Sequence, residues 1–258
     1  MEFLKANYVN TTTGVTVESN TATVSFILDT NPIFQYVSEN YNNDLTTTTI
    51  TFSFDETLTV NRLAMLSTNL KGFTIYYDGI TANTFLMTTT SDTTTSDYSS
   101  NSATAKYLFF TGVDCTSVSI DMKTTQTADQ EKAIGYIAIS KQLMDFSRIP
   151  SARGYVPILK ANNVVHRLSD GGHRIQTLGE KWQHSISYDY IPDTFRDSLR
   201  TTYDLHQEMI FAPFGTATSW DGVIYPCAWA GSFGFYRFSD NATEAGFSGS
   251  ITILETPR

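Results

Sequence analysis

From Thr48 to Val60 the chain reads TTITFSFDETLTV, with apolar side chains on every second residue. Ile50, Phe52 and Phe54 alternate with Thr49, Thr51 and Ser53. A period of two, with β-branched residues on the polar side, predicts a strand that buries one face. The texture recurs in TATVSFIL, GFTIYYDG, AKYLFFTGV, TSVSIDMK and AIGYIAIS, and no segment before residue 140 carries a helical stripe. Short strands separated by turns predict a β-sandwich. Within GFTIYYDG, Phe73, Ile75 and Tyr77 belong to the inward face, which leaves Tyr76 on the other side as a candidate exposed contact. Residues 87–105, MTTTSDTTTSDYSSNSATA, hold too little apolar surface to offset the entropy of ordering. They read as a long loop, either a plain exposed one or an adaptable contact loop.

Texture and charge both change after about residue 140. Residues 1–140 hold six Lys/Arg against fourteen Asp/Glu, a net of −8, whereas 141–258 hold eleven against twelve, a net of −1. All four histidines and all three tryptophans fall in the later part. This asymmetry predicts two units, 1–140 and 141–258. Neither is basic, so direct nucleic-acid binding lacks its electrostatic footprint. MEFLKANYVN turns polar after four residues, and no apolar run approaches the ~20 residues of a membrane helix, so neither an export signal nor membrane insertion is expected.

In the later part, SKQLMDFSRIPSARGYVPIL reads as a possible short helix and an extended connector containing Pro150 and Pro157. Two strands around Asp170-Gly171-Gly172 predict a hairpin. The segment PDTFRDSLRTTYDLHQEMI predicts the main helix, with Phe195, Leu199, Tyr203 and Ile210 along one face and Leu205 and Met209 beside it. Pro192 suits its first turn, and Asp193 and Asp197 its positive end. Strands follow in GVIYPCAWAGSFGFYRFSD and GFSGSITILETP, the latter read as an edge strand able to pair with a neighbour.

Each part resembles a known family. NNDLTTTTITFSFDETLTVNRLAMLSTNLKGFTIYYDG, AKYLFFTGVDCTSVSIDMK and IGYIAIS resemble the strand series of a discoidin-like (galactose-binding-like) jelly roll, over roughly residues 20–140. The cysteine pair that often closes such domains is missing. GEKWQHSISYDYIPDTFRDSLRTTYDLHQEMIFAPF, GVIYPCAWAGSFGFYRF and FSGSITILETP resemble bacteriophage tail proteins of the tube-like, distal-tail or adaptor type. Those proteins combine a small β-sandwich or barrel with one flanking helix and associate into rings, usually with the tube-like core first, whereas the order here is reversed. The fold implied is mainly β: a jelly-roll sandwich, then a β-rich α+β tail-tube-like domain with one main helix. The function implied is a non-enzymatic ring component of a phage virion tail, assembled in the host cytoplasm. Its partners would be copies of itself and other tail proteins. The alternative is a carbohydrate-binding module protein that recognises a cell-surface glycan with loops of its first domain.

No constellation for catalysis stands out. His166, His173, His184 and His206 lack zinc spacing, and a Gly-Gly hairpin accounts for VVHRLSDGGHR without an ion. GFSGS lacks the Gly-x-Ser-x-Gly pattern of a nucleophile elbow and reads as a turn. Asp55-Glu56 and Asp129/Glu131 fall in turn-like segments, and spacing in sequence says nothing of the separation that glycosidase carboxylates need. Cys115 and Cys227 read as two thiols, with a disulfide between them left open. No catalytic residue, metal ligand or cofactor is expected. The candidate interface or ligand contacts are Tyr76, Trp220, Tyr225 and Trp229, the last three in the densest aromatic run of the chain. Limited proteolysis should cut between residues 138 and 160 or within 87–105; a single core resistant at both places would overturn the two-part reading.

Overall fold

The computed structural model describes residues 1–11, 16–19, 27–28, 35–38, 44, 46–80, 106–148, 150–151, 154–167, 171–214, 224–237 and 246–256. The 87–105 segment, Trp220 and most of TATVSFIL lie outside these residues. The first elements are β1 (Glu2–Lys5), α1 (Tyr8–Thr11), β2 (Thr16–Ser19), β3 (Tyr36–Val37), β4 (Thr48–Leu66) and β5 (Leu70–Tyr77). Next come β6 (Lys106–Thr125), β7 (Ala133–Ile134), β8 (Tyr136–Ser140) and β9 (Gln142–Asp145). The chain then runs through β10 (Tyr155–Arg167), β11 (His173–Ile191), α2 (Asp193–Asp204), β12 (Met209–Ala212), β13 (Tyr225–Arg237) and β14 (Phe247–Glu255). The fold is mainly β, as the alternation predicts.

The chain divides into two compact units, one of residues 1–143 and 210–224, the other of 144–209 and 225–257. Residues 210–224 group with the first unit although the sequence places them in the second part. The reason is apolar: Ile210, Ala212 and Ile224 bury themselves in a cluster with Leu4, Ala64, Leu66 and Tyr107.

In the first unit, an antiparallel sheet runs β2-β4-β6-β5, with β8 pairing the second half of β4. Ile50, Phe52, Val60, Ile75, Val118 and Ile120 form its core with Tyr8, Ile27, Tyr36 and Ile134 from outside the sheet. Asp55 and Glu56 lie within β4, exposed where its pairing with β6 slips between Ser53 and Leu58, and not in a turn. A second slip, between Val60 and Arg62, marks the place where Arg62 turns into the interior. Its Nε and Nη2 donate to the two carboxylate oxygens of Glu2 at 3.1 and 2.9 Å. Tyr107 Oη and Gln142 Nε2 donate to the same carboxylate. Burial first, and the charge of Glu2 second, push the Tyr107 phenol well above its ordinary value.

In the second unit, an antiparallel sheet runs β10-β11-β14-β13. The predicted edge strand, residues 247–255, is therefore interior, paired with β11 on one side and β13 on the other. GFSGS opens this strand instead of forming a turn. A Cβ at Gly249 would stand 2.5 Å from the Gly234 carbonyl oxygen and 2.7 Å from the Phe235 ring, so only glycine permits the strands to approach here. The possible helix of SKQLMDFSRIP is strand β9, and Pro157 stands inside β10, on the sheet edge where proline is tolerated.

Helix α2 follows Pro192, and Phe195, Leu199 and Thr202 are its buried stripe. The Phe195 ring meets Tyr188 at 5.5 Å and Phe146 at 6.1 Å. The helix ends at Asp204, earlier than the pattern through Ile210 predicts, because His206 turns left-handed at φ 47°. Met209 and Ile210 are buried as strand residues. Cys115 and Cys227 are buried and form no disulfide.

Removing one partner of a buried ion pair strands the other. Glu2→Ala should therefore cost about 3–5 kcal/mol in urea unfolding, while the double variant Glu2→Met/Arg62→Leu recovers most of the loss. A Glu2→Ala loss within experimental error would overturn this account.

Candidate functional site

Two features of the second unit stand apart from its core. The first is the β10–β11 hairpin, in unbroken antiparallel register from Tyr155↔Ile186 to Asn162↔Gly179 and, after one bulge, to Arg167↔His173. Its base is covered, since Ile186 is fully buried and His184 wholly enclosed. Val156 is exposed at this base, Ile158, Leu159, Val165 and Ile175 are exposed further out, and Val165 and Ile175 stand directly opposite each other at 54% and 65% exposure. β10 is the edge of its sheet, so its outward backbone groups have no strand beside them among the described residues. Residues 155–182 carry four Lys/Arg against two Asp/Glu, a net of +2.

The second feature is a cleft of about 280 Å³ between the end of α2 and strand β13, lined by Tyr203, His206, Gln207, Glu208, Trp229 and Gly231. The Tyr203 ring stands nearly perpendicular to two of its aromatic neighbours: Trp229 at 5.4 Å and 75°, His206 at 5.2 Å and 70°. Phe233 backs Tyr203 and Trp229 at 5.6 and 6.2 Å and holds the two rings in place. Gly231, at φ 86°, sits where β13 slips against β14, and the space beside it is open. A side chain there would be strained and would narrow the mouth.

Tyr225 and Trp229 share a strand but not a cluster. The Tyr225 ring packs on His184 at 4.4 Å and on Trp182 at 6.2 Å, with Tyr155 Oη at 3.1 Å from His184 Nδ1. Trp220 lies outside the described residues. Tyr76 is a correction: it is buried, because Thr49, Ser119 and Asp121 on neighbouring strands rise level with its ring, and its hydroxyl donates to Asp121 Oδ1 at 3.3 Å. It therefore serves the sheet and offers no exposed face to a ligand. Sequence reasoning missed Tyr203, His206 and Glu208, which it read as parts of one continuous helix. No group of three or more His, Cys, Asp or Glu able to hold a metal ion occurs among the described residues.

No protein-family model matches the chain, and no curated protein matches it. Solved structures similar to it include a chitosan-binding module from a chitosanase/glucanase of Paenibacillus sp. IK-5, at 15% identity and a TM-score of 0.40, covering 53% of this chain and 98% of that one. The Clostridium perfringens module CpGH89CBM32-6 is 17% identical with a TM-score of 0.38, covering 52% of this chain and 98% of its own. CpGH89CBM32-5 of the same organism, solved in complex with GalNAc-β-1,3-galactose, is 9% identical with a TM-score of 0.38, covering 48% and 94%.

Burial pushes the His184 imidazole down to about 4, so it is held neutral in the fold. The unfolded chain then binds the extra proton between pH 6.5 and about 4, and stability falls as pH falls through that window, by up to about 1.4 kcal/mol per pH unit. Melting temperature measured against pH should show this decline, and His184→Phe should flatten it. An unchanged slope in the variant would assign the acid sensitivity elsewhere.

Proposed function

We propose that this chain is a non-catalytic structural protein whose copies join through the β10–β11 hairpin. The observation that carries the reading is an edge strand whose outer half bears exposed Val165, opposite exposed Ile175, with Leu159 and Ile158 behind them. Exposed apolar edge strands are templates for pairing with another chain. The charge distribution selects the partner surface: an arm of net +2 complements residues 1–140 of another copy, with their net of −8. Such a contact is head-to-tail, joining different surfaces on the two copies, and it generates a ring if the rotation closes. The resemblance of the second part to tail proteins supplies the setting, a ring in a phage virion tail with neighbouring tail proteins as further partners.

A second reading, recognition of a cell-surface glycan, has the aromatic-walled cleft in its favour. Clefts with aromatic walls and a few polar groups are the usual form of small-ligand sites. The loop residues 87–105, which the sequence offers for the same purpose, lie outside the described residues.

The assembly reading is tested by native mass spectrometry and light scattering on the whole chain. The wild type should form a defined oligomer that salt weakens. Val165→Glu/Ile175→Glu should be largely monomeric, with an unchanged melting temperature because both positions are exposed. A monomeric wild type, or an oligomer indifferent to both substitutions, would overturn the proposal.

A further inference from the structure

The cleft has a chemistry more specific than an aromatic wall, and we infer that it binds an organic ammonium group. The inference rests on the reading that this cleft is a ligand site, and it is independent of assembly through the hairpin. Three observations converge on a cation. Tyr203 stands at 75° to Trp229 and at 70° to His206, with centroids 5.4 and 5.2 Å apart. Rings at such angles cannot lie together against one flat sugar ring. They bound an angular space, which suits a compact, rounded cation attracted by the ring quadrupoles.

Acidic Glu208 and neutral Gln207 both belong to the lining, and among the described residues the lining includes no Lys or Arg. The cleft also lies at the C-terminal end of α2, where the last carbonyls leave a partial negative charge. A basic side chain in the last turn would ordinarily answer that charge, and α2 has none there. Arg200, one turn earlier, is engaged with Asp204 at 3.4 Å. Phe233 holds the two large rings in place, so little ordering cost remains to be met on binding. The volume, about 280 Å³, accepts an ammonium head with a short tether. The shared chemistry is an alkylammonium, and it could be presented as a quaternary headgroup or as the amine of an amino sugar.

The experiment titrates the whole chain with four probes, followed by calorimetry and by tryptophan fluorescence: choline, its neutral isostere 3,3-dimethylbutan-1-ol, glucosamine and glucose. Choline or glucosamine should bind and the neutral counterpart of each should not, and which cation binds identifies the source. Glu208→Gln, at an exposed position, should weaken binding roughly fivefold to tenfold, and Tyr203→Leu should remove it. If Tyr203→Leu proves unfolded, the Glu208→Gln comparison carries the decision. Equal binding of choline and its isostere would overturn the inference. Binding of glucose as tight as glucosamine would also overturn it while leaving the glycan reading standing. Absence of binding by all four probes would overturn both.

Discussion

A buried carboxylate at the second residue organises the first unit. Glu2 receives hydrogen bonds from Arg62, Tyr107 and Gln142, so β1 is tied to β4, β6 and β9 at one point. Two charges withdrawn from water are tolerable only when every lone pair is answered, and here both oxygens accept two donors each. The slip in the β4–β6 ladder beside Arg62 aims the guanidinium inward, and Asn61, on the same strand, accepts the backbone N–H of Gln142. Around this knot the apolar residues of β1 are committed: Phe3 and Leu4 are both buried, and the Phe3 ring meets Phe211 at 5.6 Å. Residues 210–212 enter the first unit because that apolar strand gives them a surface to cover.

The second unit solves a different problem. Among the described residues its sheet has one helix to cover it, and α2 packs Phe195 on Tyr188 and Phe146 and Tyr203 on Trp229 and Phe233. The outer hairpin is longer than the helix can shelter, so Val165 and Ile175 are exposed. At the other end of α2, the early stop at His206 turns the connector away from the helix axis and opens the cleft against Trp229. Both candidate surfaces thus follow from the length of one helix.

Strands in the first part were legible because Ile50, Phe52 and Phe54 signal burial locally, without reference to what they pack on. The hairpin was legible for the same reason, its turn being marked by Gly171 at φ 83°. Pairing order was not. Residues 247–255 read as an edge strand in sequence, yet their neighbours β11 and β13 are chosen by ladders that span long stretches of chain. The helix end was hidden by coincidence: Ile210 lies seven residues beyond Tyr203, two helical turns, so a strand residue kept the helical phase. Trp229 was singled out for its aromatic neighbours in sequence, while its neighbours in space, Tyr203 and Phe233, came from another element and from within a bulge. Tyr76 failed because an outward-pointing ring is exposed only when the next strand leaves it so, and here Asp121 and Ser119 close over it.

Pro157 gives the edge strand a property of its own. Register runs unbroken through Pro157↔His184, so the ring nitrogen belongs with the outward-facing set of backbone groups. At that point the edge offers an acceptor but no donor. A foreign strand sliding along β10 from the tip would keep complete hydrogen bonding until it reached residue 157, and would lose a bond on passing it. The proline thus behaves as a stop: it leaves the outer segment open to a partner strand and penalises alignments that run past residue 157. An edge cut in this way favours a single bounded joint over the repeating stack of strands that an uninterrupted edge would invite.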